Sequence, residues 1–302
     1  MCSTCGCSDD AGTRISRIDL DTSIGSEAGG LPHLHDHEHL HDHEHPHHDH
    51  EHPHHDHPAE STTISLEQSL LARNDLEAAR NRGWLEGRKI FALNLMSSPG
   101  AGKTTLLVRT IKEMAGNEMA SKEIAGHFES FVVEGDQETT FDAERIRATG
   151  STVVQVNTGA GCHLDASMVH RALDSLDPSP RSTVFIENVG NLVCPALFDL
   201  GEAAKVVIVS VTEGDDKPEK YPHMFLAADL LIVNKADLLP YVEFDVERFL
   251  ERARRLNPHV EAIVVSATTG EGLTSWFDWL TQKSGASGEN AAAGIPEHSV
   301  HA

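Results

Sequence analysis

FALNLMSSPGAGKTTLL, residues 91–107, runs from an apolar strand through a glycine-rich turn into a helix. A strand that ends in such a turn, followed by a helix that opens on Lys-Thr, makes a phosphate-binding loop. Backbone N–H groups of Gly100, Ala101 and Gly102 cradle phosphate oxygens. Lys103 brings positive charge to the β- and γ-phosphates, the Thr104 hydroxyl can ligate Mg²⁺, and Thr105 continues the cradle into the first helical turn. Ser97 stands where the usual pattern has its first glycine, which leaves the Gly-x-Gly-Lys-Thr core intact.

Outward from this loop the chain alternates strand-like and helix-like segments. FVVEG, TVVQV, TVFIEN, KVVIVSV, DLLIVN and AIVVSA are short, β-branched apolar runs, and TTLLVRTIKEM, DAERIRA, HLDASMVHRALDSL, VERFLERARRL and LTSWFDWLTQ lie between or after them as helices. Upstream, Leu66, Leu70, Leu71 and Leu76 at near-helical spacing predict a helix or two, with Gly83 as a late breaker. Strands this apolar, separated by helices, predict an α/β domain over residues 61–284, a mostly parallel sheet covered by helices on both faces. Residues 285–302 read as a flexible tail.

The nucleotide base is addressed by NKAD, residues 234–237, directly after DLLIV. The Asp237 carboxylate can accept two hydrogen bonds from the guanine N1 and N2 groups, which adenine does not offer. Asn234 reaches the other base edge, and the Lys235 stem covers the ring. After the next strand, Ser266 and Ala267 of SAT sit where a backbone N–H can reach the guanine oxygen. Two acidic strand ends complete a GTPase. In ENVG, Glu187 can hold Mg²⁺ through water and the Gly190 N–H can sense the γ-phosphate. In EGDQETTFD, Asp136 can contact Mg²⁺ or orient the attacking water, or it can simply cap the next helix. Lys103, Thr104, Asp136 and Glu187 are the candidate catalytic set.

The bulk charge points to cations as ligands. Asp plus Glu number 47 against 24 Lys plus Arg, a net charge of −23, which repels nucleic acid and anionic lipid. No apolar run reaches membrane-spanning length and MCSTCGCSDD is no signal peptide, so a cytoplasmic protein is expected. Five cysteines in a reducing compartment suggest metal ligation or burial rather than disulfides.

Metal-ligand residues gather in three places. Cys2, Cys5 and Cys7 offer three thiolates within one turn. Between His33 and His57 lie His33, His35, His37, His39, His41, His43, His45, His47, His48, His50, His52, His54, His55 and His57, fourteen histidines laced with seven carboxylates and no Lys or Arg. No core can be built from that tract, so residues 1–60 are expected to be a metal-binding segment, disordered without metal and loosely specific for ions such as Ni, Zn or Cu. Third, Cys162 and His163 follow one strand and Cys194 lies four residues past Gly190, so a metal held there would move with the γ-phosphate sensor.

SSPGAGKT, EGDQ, TGAGCHLDA, ENVGNLVCPA, TEGDDKPEKYP and NKAD together resemble the HypB family, the nickel-incorporation GTPases of [NiFe] hydrogenase maturation. The resemblance covers about residues 65–283 and the Cys- and His-rich front. It implies a SIMIBI-class P-loop fold, slow GTP hydrolysis, nucleotide-linked homodimerisation, and Ni²⁺ delivery to the hydrogenase large subunit with a HypA-type nickel chaperone. It further implies that Cys2, Cys5 and Cys7 form a tight nickel site, and that Cys162, His163 and Cys194 form a dimer-interface site for Ni²⁺ or Zn²⁺. Lys217 is implied to reach nucleotide across the dimer, and the histidine tract to hold a nickel reserve. A metal buffer with a structural nucleotide site, or a GTPase of a zinc or urease pathway, stand as alternatives.

Overall fold

The computed structural model describes residues 13–18, 59–116, 129–137, 140–159 and 161–289. From Ala59 onward helix and strand alternate as the apolar periodicity requires, except that residues 188–203 join two strands through a single 3-10 turn, Cys194–Ala196. After the opening helix α1 (Ala59–Gly87) come β2 (Phe91–Ser97), α2 (Lys103–Gly116), β3 (Ser130–Asp136), α3 (Phe141–Arg147), β4 (Thr152–Asn157), α4 (Ala166–Leu176), β5 (Thr183–Glu187) and β6 (Ala204–Ser210). Two short helices, α5 (Lys217–Lys220) and α6 (Pro222–Ala227), precede β7 (Leu230–Asn234), α7 (Val246–Leu256), β8 (Glu261–Val264) and α8 (Leu273–Glu289).

With the short β1 (Arg14–Ile18) ahead of α1, the sheet has eight strands in the order β1-β4-β3-β5-β2-β6-β7-β8. All neighbours pair in parallel except β1, which runs antiparallel to β4 along one edge. This is the expected α/β architecture with helices on both faces. In β2, all seven residues are buried. Phe91, Leu93 and Leu95 pack with Leu106, Leu107 and Ile111 of α2 and with Trp276 and Leu280 of α8. Ala92, on the opposite face, joins a second core with Leu85, Val169 and Leu173, and Met96 a third with Phe225 and Phe249. A strand buried on both sides loses the polar alternation of an exposed sheet, which is why these segments read as continuous apolar runs.

Three expectations need correction. RISRI, residues 14–18, lies inside the segment expected to be disordered, yet it forms β1, with Ile15 opposite Val156 and packed on the core. Two isoleucines among two arginines and a serine carry little apolar signal; the open β4 edge supplies the hydrogen-bond partners that make them a strand. Gly83 does not break the upstream helix, which is continuous over 29 residues. A helical glycine costs only about 1 kcal/mol relative to alanine, and the neighbouring turns are held to the domain by Asn81 and by the buried Leu85. At the other end α8 continues to Glu289, past the expected start of the tail.

Candidate functional site

β2 lies between β5 and β6; the chain builds β3, β4 and β5 on one side of it and then crosses to build β6, β7 and β8 on the other. Ligands bind such sheets at this switch point, outside the carboxyl ends of the strands. A cavity of about 530 Å³ opens there, lined by residues 97–105 together with Glu134, Asp136, Asp142, Arg145, Glu187, Gly190 and Lys235 among others. Gly102 turns the loop at φ +94°, and a Cβ there would come within 2.5 Å of the Asn234 amide nitrogen. Glycine at this position therefore answers both a backbone conformation and a close approach.

At the end of the cavity beside β5, Lys103 Nζ lies 3.2 Å from Glu187 Oε1, and the Thr104 hydroxyl donates to the same oxygen at 2.6 Å. Glu187 is only 2% exposed. Glu134, beside it on β3, is equally buried, and each acid has its Oε2 buried with no hydrogen-bond partner. Burial, then the charges of Glu187 and Asp136, push the Glu134 carboxyl up to about 8, against the pull of Lys103. A hydroxyl and orphaned carboxylate oxygens form the all-oxygen donor set that suits a hard divalent cation. Asp136 ends β3 and lines the cavity. It is not a helix cap, since α3 starts at Phe141 with Thr140 in the capping position.

At the base end the NKAD residues are bonded differently from the sequence expectation. Asn234, 1% exposed, donates to the Ala101 carbonyl at 2.9 Å and accepts from Ala267 N–H at 3.1 Å, which ties two loops together. Lys235, at φ +64°, crosses the phosphate loop and donates to the Gly100 carbonyl at 2.7 Å. Asp237 accepts from the Ser266 hydroxyl at 2.6 Å through Oδ1. The Ser266 and Ala267 amides, expected to face guanine, are both engaged inside the protein: Ser266 N–H donates to Glu271 O and Ala267 N–H to Asn234. The local reason is the tight turn closed by Gly270 N–H to Ser266 O at 2.9 Å. Lys217 does not line the cavity; its ammonium lies 3.4 Å from Glu213, which accepts a hydrogen bond from Ser98 of the phosphate loop.

The third constellation comes together. Ligand atoms of Cys162, His163 and Cys194 all lie within 4.8 Å of one another, with 3.1 Å between the two Sγ atoms and 3.7 Å from Cys162 Sγ to His163 Nδ1. Both thiols are free and partly exposed. Burial holds the His163 imidazolium below its usual pKa, with Asp165 opposing, which favours the neutral ring that ligates a metal. Residues 1–12 and 19–58, with Cys2, Cys5, Cys7 and the histidine tract, lie outside the described residues.

Residues not singled out from sequence connect the two sites. Asn188, fully buried, accepts through Oδ1 from Leu164 N–H at 3.1 Å and from its neighbour Val189 N–H, and donates to Asn94 on β2 at 3.3 Å. Asn191 donates to the Cys162 carbonyl at 3.2 Å. From the other side, α1 holds the same segments: Asn81 donates to both Ala166 O and Leu200 O, Asn74 bonds Ala166 N–H and Asp199 O, and Arg82 pairs with the Asp199 carboxylate. An asparagine just after an apolar strand is the only signal the sequence carries for Asn188; its partner is 24 residues away.

The family model of the CobW/HypB/UreG nucleotide-binding domain matches residues 91–264, the segment that holds the phosphate loop, Glu134, Glu187, Asn188, NKAD and the Cys162–His163–Cys194 triad. The chain belongs to the HypB family of hydrogenase maturation factors. It is 55% identical over 228 residues to the hydrogenase maturation factor HypB of Azotobacter chroococcum, covering 76% of this chain and 72% of that one. With HypB of Escherichia coli K12 it is 52% identical over 217 residues, 72% and 71% of the two chains. Among solved structures, HypB of Helicobacter pylori in complex with nickel superposes with a TM-score of 0.63 at 38% identity, over 71% of this chain and 96% of that one. The HypB fold, a P-loop domain with an eight-stranded, mostly parallel sheet, is therefore the frame in which both sites sit.

Proposed function

We propose that the chain is a GTP-hydrolysing nickel metallochaperone that binds Ni²⁺ and delivers it to the large subunit of a [NiFe] hydrogenase during maturation, in the cytoplasm. The observation that carries this reading is Asn188. One buried amide holds both the end of β5, whose Glu187 meets Lys103 and Thr104, and the loop that bears Cys162 and His163. Support for hydrogenase over urease comes from relatives above 50% identity named for hydrogenase alone; a hydrogenase/urease maturation factor of Helicobacter hepaticus matches at 40% over 73% of this chain and 88% of that one.

The chemistry follows from the side chains in place. GTP lies with its phosphates on the amides of residues 100–105 at the start of α2, where helix partial charge and Lys103 neutralise the oxygens. Asp237, fixed by Ser266, presents its remaining acceptor capacity to the guanine N–H groups. Asn234 serves mainly as the strut between loops, and the guanine oxygen falls to Thr268 N–H, which has no partner among the described residues. Thr104 and Glu187 would hold Mg²⁺, which when bound neutralises charge developing on the transferred phosphoryl group. Asp136 orients the attacking water. Because Gly190 would meet Pro99 of the phosphate loop at 3.1 Å if it carried a Cβ, its segment lies directly against that loop and shifts when a γ-phosphate arrives.

Nickel is cargo. The triad supplies three ligands where a tetrahedral ion takes four, and a homodimer whose interface contains Cys194 would complete it from a second copy. Lys217 would reach nucleotide only in such an assembly. Residues 1–60, apart from β1, act as a metal-binding segment in which Cys2, Cys5 and Cys7 bind tightly and His33 to His57 hold a reserve, with residues 61–284 as the GTPase unit. A HypA-type chaperone is the partner in transfer, and Zn²⁺ can compete for the thiolates. The test is calorimetric titration of Ni²⁺ into a variant lacking residues 33–57 and with Cys2, Cys5 and Cys7 replaced, once with GDP and once with a non-hydrolysable GTP analogue. Different affinities in the two states are expected. Equal affinities would reduce the triad to a static metal site.

A further inference from the structure

Glu134 so far contributes only an orphaned oxygen to the donor set, with no step of its own, yet it faces the phosphate cavity. It is the register partner of Glu187 across the parallel β3–β5 pair, so the two side chains leave the sheet on the same face. Their exposures are 3% and 2%, and both line the phosphate cavity. Glu187 Oε1 has Lys103 and Thr104; the Oε2 atoms of both acids are buried with no partner.

Two acids directly opposite one another cannot both hold their charge in so buried a place, and a buried polar oxygen without a partner is costly even on a protonated carboxyl. The other cations lining the cavity are committed elsewhere, Arg145 to Asp142 and Lys235 to the Gly100 carbonyl. Lys103 therefore faces two buried acids, and its ammonium is also the phosphate ligand. Space filling does not account for Glu134, because a glutamine or a leucine would fill the same volume without the charge.

We propose that Glu134 is a positioning residue of the magnesium site, its Oε2 accepting a hydrogen bond from a magnesium-bound water beside Glu187. This rests on the reading that the cavity takes a guanine nucleotide with Mg²⁺. The arrangement divides the work between two strands. Glu187 and Thr104 fix the ion on the phosphate loop, and Glu134 fixes the ion's hydration on the side that carries Asp136. Supporting shells of this kind typically change metal affinity by about 10- to 100-fold.

The experiment is Mg²⁺ titration of fluorescent-GDP binding by the full chain, with Glu134→Gln compared against wild type and a parallel measurement in EDTA. The half-saturating Mg²⁺ concentration is expected to rise about tenfold in Glu134→Gln, with GDP affinity in EDTA unchanged. An unaltered Mg²⁺ dependence overturns the proposal, and so does an equal loss of GDP binding with and without Mg²⁺, which marks a purely structural role. If Glu134→Gln fails to fold, the same titration on Glu134→Asp decides: an unchanged midpoint overturns the proposal, and a raised one supports it. Wild-type protein that binds no Mg-GDP would instead overturn the reading of the cavity itself.

Discussion

The nucleotide cavity and the Cys162–His163–Cys194 triad sit at the same carboxyl end of the sheet but are finished to different degrees. Around the cavity almost every motif residue is held by another: Asn234 by Ala101 and Ala267, Lys235 by Gly100, Asp237 by Ser266, Lys103 and Thr104 by Glu187. The triad's ligand atoms lie within 4.8 Å of one another, its thiols are partly exposed, and the His163 ring packs on Phe198. The contrast teaches that the first site is preorganised by the fold, whereas the second has its backbone fixed, by Asn188 and Asn191 on one side and α1 on the other, and its ligand sphere open. On the proposed function, binding and then releasing cargo would use that combination.

The largest expected effect lies in the preorganised site. Lys103→Ala removes a phosphate ligand and leaves Glu187, 2% exposed, without its cation; GTP affinity should fall by about 3 kcal/mol or more, measured by equilibrium binding. A smaller loss would mean that the buried pair relaxes and the cavity is less rigid than its bonds indicate. Asp237→Ala comes next, at about 2 kcal/mol for GTP with little change for ATP, since two guanine donors lose their acceptor. Unchanged GTP affinity would remove the guanine assignment.

The link between the sites should cost less but be more selective. Asn188→Ala orphans the Leu164 and Val189 amides, which should lower stability by about 1–3 kcal/mol in chemical denaturation. More tellingly, it should shrink the difference in Ni²⁺ affinity between GDP and GTP-analogue states, a coupling typically on the order of 1–3 kcal/mol. If the coupling survives intact, the connection runs through Gly190 and Cys194 alone, and the two sites are less closely tied than their shared amide suggests.

Smallest of all should be the effect of deleting residues 33–57 on GTP turnover, because the described residues that line the cavity all fall between Ser97 and Lys235. Metal bound per chain should nevertheless drop by several ions. In the intact protein those ions should leave as pH falls through about 6, since only neutral imidazole ligates and an unperturbed histidine protonates near 6.5. Loss of turnover on deletion would erase the boundary between reserve and engine.

Much of this molecule is determined by sequence alone. The strand-turn-helix run at residues 91–107, the apolar strands and NKAD after DLLIV set the fold class and the phosphate loop, because local periodicity and glycine chemistry act within a dozen residues. Pairings between distant segments had to wait for the tertiary structure. β1 needed the open edge of β4, α1 ran through Gly83 because its buried face is held by segments more than 80 residues away, and the amides of Ser266 and Ala267 turned inward because a tight turn claimed them. Glu134 and Glu187 became neighbours only through the register of β3 and β5, and Asn188 a link only because Leu164 folds against it. Sequence spacing fixes which groups are available at a strand end; which of them touch is decided by strand order and register, and these are set by burial summed over the whole sheet.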